Sequence, residues 1–208
     1  MSDVWPLVHA ERYALIEYLE GVDDARWETP SLCPGWTVRD VVAHQISTAV
    51  TTKLGFVRGM ISARFDFDRD NRNGIDRELG TASQMLARFR AVADRTSGPP
   101  APVDTRLVES VVHGEDIRRP LGTVGTYPID AIDRALRLQV RTGKSMGGAK
   151  EHVAGLRLVA DDADIVLGDG AEITGPALSL LLGVSGRTIA MSELSGPGLP
   201  ELTARLNG

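Results

Sequence analysis

The sequence has 208 residues, 42% hydrophobic and 25% charged, with 23 Lys and Arg against 28 Asp and Glu for a net charge of −5. These values fit one folded domain with a smaller partner, and they exclude a disordered chain, a collagen-like chain and, with Cys33 the one cysteine, a disulfide scaffold or a zinc–thiolate cluster. The acidic balance, with no basic stripe, argues against nucleic-acid binding; no apolar run reaches the roughly 18 residues of a membrane span, and residues 1–6 lack a basic region ahead of an apolar core, so a cytoplasmic protein with no membrane partner is expected.

Residues 3–21 place Val4, Leu7, Val8, Ala14, Leu15, Tyr18 and Leu19 at helical spacing, and Gly21 ends the run. Prolines and a Pro-Gly pair make residues 29–35 a loop. A second helix starts at Thr37, a capping residue with Asp40 three positions on, and buries Val38, Val41, Val42, Ile46 and Ala49. Residues 66–74 read as a long polar loop. Asp66, Asp68 and Asp70 have the first spacings of a calcium loop, but Asn71 stands where that loop needs Gly and Arg77 where it needs Glu, so calcium is not expected. A third helix begins near Thr81, with Gln84 completing another capping box and a stripe of Met85, Leu86, Phe89, Val92 and Ala93. After the rigid connector 98–102, a fourth helix spans about 104–118 with Leu107, Val108, Val111 and Val112, and Pro120 closes it. Pro128 opens a fifth, carrying Ile129, Ile132, Leu136 and Val140, which stops at Gly143.

The period then changes. Residues 156–160 alternate as a strand, residues 164–168 form a second, and Asp169-Gly170 before residues 171–174 is a hairpin signal. A helix over 177–183, a helical turn near Ile189 and a last helix over 200–206 complete the chain. The fold class is therefore α+β: a helical bundle over 1–148 and a small α+β domain over 149–208.

The four histidines are His9, His44, His113 and His152. Glu109 lies four residues before His113, so on a helix both side chains share one face. A neutral imidazole with a carboxylate suits zinc, nickel or iron(II), and Asp116, three residues on, can orient the ring. The alternative is an ordinary helix-surface pair. His44 flanks the apolar stripe of a different helix; bundles build metal sites from ligands on facing helices, and three protein ligands with an open position make a catalytic arrangement. The alternative for His44 is a core histidine with one satisfied hydrogen bond.

Two segments carry a family resemblance. Residues 32–44, Leu-Cys-Pro-Gly-Trp-Thr-Val-Arg-Asp-Val-Val-Ala-His, and residues 109–118, Glu-Ser-Val-Val-His-Gly-Glu-Asp-Ile-Arg, resemble the second helix and the Glu-x-x-x-His metal helix of the mycothiol-dependent maleylpyruvate isomerases and their DinB-like relatives. The resemblance extends over most of the chain. It implies a four-helix DinB-like bundle, a C-terminal domain closing over the site, and a divalent metal, zinc first, on His44, Glu109 and His113. It also implies a mycothiol cofactor that binds as thiolate, adds to an electron-poor double bond, allows rotation and leaves, so that no catalytic cysteine of the chain's own is needed. The C-terminal domain is short for the family. Where the isomerase uses a basic residue there to hold its anionic substrate, the best match is Arg187, and the chain looks closest to a compact metal-binding branch.

The expected activity is a divalent-metal-dependent isomerase or thiol transferase acting on a small electrophilic or anionic substrate, from a monomer or homodimer. The alternatives are a metal-dependent hydrolase using bound water and a non-catalytic metal or ligand binder. The other candidates carry blander readings. Cys33 reads as packing and Trp36 as a hydrophobic staple ahead of the Thr37 cap. His9 reads as a surface residue, and Arg118 and Arg119 as basic residues at a helix end. Residues 143–145 lack the Gly of a phosphate loop, Ser185 does not fit a nucleophile elbow, and His152 has no role.

Overall fold

In the computed structural model, which describes residues 3–207, the apolar stripes fold as expected into α1 (Trp5–Glu20), α2 (Val38–Val50), α5 (Ala82–Val92) and α6 (Thr105–Arg118). Local chemistry sets the helix starts. Thr37 Oγ1 accepts from Asp40 N, while Thr37 N donates to Asp40 Oδ2 at 2.9 Å; Thr81 and Gln84 repeat the reciprocal cap on α5. Helix α1 packs on α5 and α6, and α2 packs on the same two, which makes these four the bundle. Its core is Leu15, Ile16 and Leu19 of α1, Val41, Val42 and Ile46 of α2, Met85, Leu86 and Phe89 of α5 and Ile117 of α6, with Trp27 fully buried between α1 and α2 in the chain. Each such side chain contributes about 1.5–3 kcal/mol by leaving water.

Residues 66–74 depart from the polar loop expected of them. They lie in α4 (Phe67–Glu78), which follows α3 (Lys53–Ser62). Asp66 caps α4 by accepting from Arg69 N, Asp68 and Asp70 sit in its first turn, where carboxylates meet the free N–H groups, and Arg72 pairs with Asp76 one turn on. The acidic run is thus the start of a helix. Burial of Gly74 and Ile75, and packing of α4 on α2, complete it.

The contacts divide the chain into two units, Met1–Thr126 and Tyr127–Gly208. The fifth expected helix, α7 (Ile129–Arg141), which the sequence pattern groups with the bundle, packs on α8 (Ala177–Val184) and belongs to the second unit. Almost every residue of α8 is buried, so it serves as that unit's central helix. The sheet contains β1 (Leu156–Ala160), β2 (Val166–Gly168) and β3 (Ala171–Gly175) in the order β2-β1-β3; α9 (Leu199–Asn207) ends the unit. Leu156, Leu158 and Ala160 of β1 point inward, as the period of two requires.

Asp169-Gly170 does not make a hairpin. Strand β2 pairs antiparallel with β1, and β3 pairs parallel with the other side of β1, Leu156 opposite Ala171. The chain passes beneath the start of β1, and a Cβ on Gly170, whose φ is 128°, would lie 2.1 Å from Gly155 O. The glycine is there for this close passage. Among the described residues, no helix is long and apolar enough to cross a membrane.

Candidate metal centre

Helices α2 and α6 bring His44, Glu109 and His113 together in the first unit. His44 Nε2 lies 3.2 Å from Glu109 Oε2, and His113 Nε2 lies 3.6 Å from the same oxygen. One ligand atom from each residue lies within 4.8 Å of the others. Donor atoms 2.0–2.2 Å from a tetrahedral zinc ion stand about 3.3–3.6 Å apart, so the cluster is close to the dimensions of a three-ligand site with one open position. Gln45, buried beside His44, donates from Nε2 to Glu109 O at 2.7 Å and braces α2 against α6 at the level of the cluster.

Asp116, fully buried, places Oδ2 2.8 Å from His113 Nδ1. An ionised carboxylate only accepts, so Nδ1 carries the proton and Nε2 turns toward Glu109 and His44. Trp36 packs 5.2 Å from the His44 ring, and the two imidazoles meet edge to face at 4.9 Å. Burial would lower His113, but the hydrogen bonds of Asp116 and Cys33 and the charges of Glu109 and Asp116 push it up to about 10. Burial would raise Glu109, yet the charge and hydrogen bond of His44, with the charges of His113 and Arg106, hold it below the usual carboxylate range. This carboxylate field favours a divalent cation at Nε2 in place of a proton.

Two neighbours escape sequence reading. Arg106, buried on α6, lies 4.0 Å from Glu109 Oε1; its position three residues before Glu109 was the available signal. Cys33, expected as packing alone, has Sγ 3.0 Å from Asp116 Oδ2, a contact across 83 residues that no local pattern reports. The remaining candidates have other partners. His9 has its ring 5.9 Å from that of Trp5 on α1, His152 lies in the second unit with its carbonyl accepting from Arg205, and Arg187 stands just before a short helical turn in that unit, its Nη1 donating to Ser185 O at 2.6 Å. Arg118 is an interior residue, bonded at 2.6 Å to buried Glu11, and Arg119 bonds Glu115 at 2.8 Å.

Two solved structures, one of the mycothiol-dependent maleylpyruvate isomerase and one of a histidine-to-alanine mutant of it, share the fold. The mutant superposes with a TM-score of 0.65 and the unsubstituted enzyme with 0.62, each at 16% identity over 93% of this chain and 91% of theirs. No curated protein matches the chain. The sequence profile described as the mycothiol maleylpyruvate isomerase N-terminal domain matches residues 8–118, the stretch that holds His44, Glu109 and His113. A match over more than half of the sequence shows that the chain belongs to the mycothiol maleylpyruvate isomerase N-terminal domain family.

Proposed function

We propose that this protein is a divalent-metal-dependent enzyme that uses a small thiol, mycothiol, to isomerise a small electrophilic anion of the maleylpyruvate class or to transfer the thiol to it. The observation that carries this reading is the convergence of His44, Glu109 and His113 on one point, with Asp116 on the outer nitrogen of His113. The three residues would hold a zinc-class ion; nickel and iron suit the same donors. When bound, such an ion supplies Lewis acidity and lowers the pKa of a thiol or water beside it. His44 and His113 contribute neutral imidazoles, Glu109 contributes negative charge, and Asp116 and Gln45 hold the donors in place. Family membership and the shared fold support the reading.

Protein purified without an affinity tag is expected to hold one divalent ion per chain. His44→Ala and His113→Ala should lose it with unchanged circular dichroism. Turnover of maleylpyruvate should require both the ion and mycothiol. An ion-loaded protein without mycothiol-dependent turnover would instead be a binder, and protein that takes up no ion would overturn the proposal.

A further inference from the structure

The two nitrogens of His113 face different residues. Nε2 faces Glu109, whereas Nδ1 lies 2.8 Å from Asp116 Oδ2 and 3.7 Å from Cys33 Sγ, and that sulfur is 3.0 Å from the same carboxylate oxygen. A thiol, an imidazole and a carboxylate thus close a triangle in which all ligand atoms lie within 4.8 Å of one another. Around a tetrahedral zinc-class ion, sulfur at about 2.3 Å and nitrogen or oxygen at about 2.0–2.2 Å stand roughly 3.3–3.6 Å apart. The sulfur–nitrogen edge of 3.7 Å already matches, and the two edges to the carboxylate oxygen, 2.8 and 3.0 Å, must lengthen by roughly half an ångström to admit an ion. Asp116 is fully buried and Cys33 is 9% exposed. Cys33 also lines a cavity of about 310 Å³ walled by residues 30–37.

We propose that Cys33, Asp116 and Nδ1 of His113 form a second cation site, selective for a thiophilic divalent ion of the zinc–cadmium class. One thiolate and one carboxylate balance the ion's two charges, and the neutral imidazole completes three ligands with one position open. Filling the site sends two protons to solvent, one from the thiol and one from the imidazolium that the neighbouring carboxylates favour. A neutral imidazole has a single lone pair, so when Nδ1 ligates, the ring's one proton sits on Nε2. The site therefore competes with the His44–Glu109–His113 centre for one ring. Only this competition rests on the function proposed above; the second site itself stands on its own geometry.

Titration with Cd²⁺ alone, followed by the ultraviolet thiolate-to-metal charge-transfer band, tests it. Cys33 is the chain's one cysteine, so the band is assigned without a variant. The band is expected in the unsubstituted protein under excess Cd²⁺, and at lower Cd²⁺ in His44→Ala, where the competing centre has lost a ligand; Glu109→Gln serves if His44→Ala does not fold. Asp116→Asn should weaken Cd²⁺ binding at the thiolate about tenfold or more, and Cys33→Ser should abolish the band. No band in either the unsubstituted or the ligand-deleted protein overturns the site, as does an unchanged Cd²⁺ affinity in Asp116→Asn, which would mark a simple cysteine adduct. Ion counting in the unsubstituted protein reads the first centre separately, so failure of one reading is distinguishable from failure of the other.

Discussion

Glu109 shows how a single residue sets the electrostatics of the cluster: one carboxylate oxygen faces both imidazoles, while the other faces Arg106. The i,i+4 spacing of Glu109 and His113 and the lead-in to His44 are visible in the sequence because each is a local pattern. Cys33 was not, because its role depends on which helix face meets its loop; Arg106 had only the weak signal of standing three residues before Glu109. Glu11 gives a prediction at the same scale. Burial, opposed by Arg118 and aided by Glu115, raises its pKa from 4.5 to about 7, so between those values the folded chain holds a proton that the unfolded chain has released. Its contribution to stability is complete below about 4.5 and is lost as pH rises through 7. In Glu11→Gln, which keeps a hydrogen-bond acceptor for Arg118 but does not titrate, the fall in unfolding free energy across that interval should flatten; urea denaturation at several pH values measures it. An unchanged slope would show that Glu11 titrates normally.

At the level of elements, capping explains both what was readable and what was not. The boxes at Thr37 and Thr81 mark α2 and α5 because the residues three positions on can answer them. The Asp66 cap belongs to the same chemistry, yet the run behind it carries only Phe67 and Ile75 as large apolar side chains, so α4 reads as a loop until its packing on α2 is seen. Asp169-Gly170 has turn chemistry too, but central β1 offers both of its edges and draws β2 and β3 to opposite sides. Thr37→Ala is expected to cost about 1 kcal/mol, read by urea denaturation. Because α2 carries His44, the same substitution should also weaken divalent-ion binding, measurable by calorimetric titration.

For the whole molecule, the division after Thr126 sets what each probe reports. Trp5, Trp27 and Trp36 all lie in the first unit, so tryptophan fluorescence follows that unit alone. Phe89→Ala, which removes a fully buried ring from its core, should lower the stability read by fluorescence by about 3–5 kcal/mol. A divalent ion at a hundred times its Kd should raise it by about 2.7 kcal/mol in the unsubstituted protein and not in a variant carrying both His44→Ala and Cys33→Ser, which lacks a ligand of each site. The change of period from 3.6 to 2 identifies the α+β class from sequence. It does not tell which unit takes α7, because an amphipathic stripe does not name the surface it covers. The three-stranded sheet has one more consequence. Ser195 bridges Thr174 on the outer side of β3, and β2 on the other flank is only three residues long. Neither margin therefore presents a long row of vacant amide groups to a passing chain, which protects the C-terminal half from edge-on fibril growth.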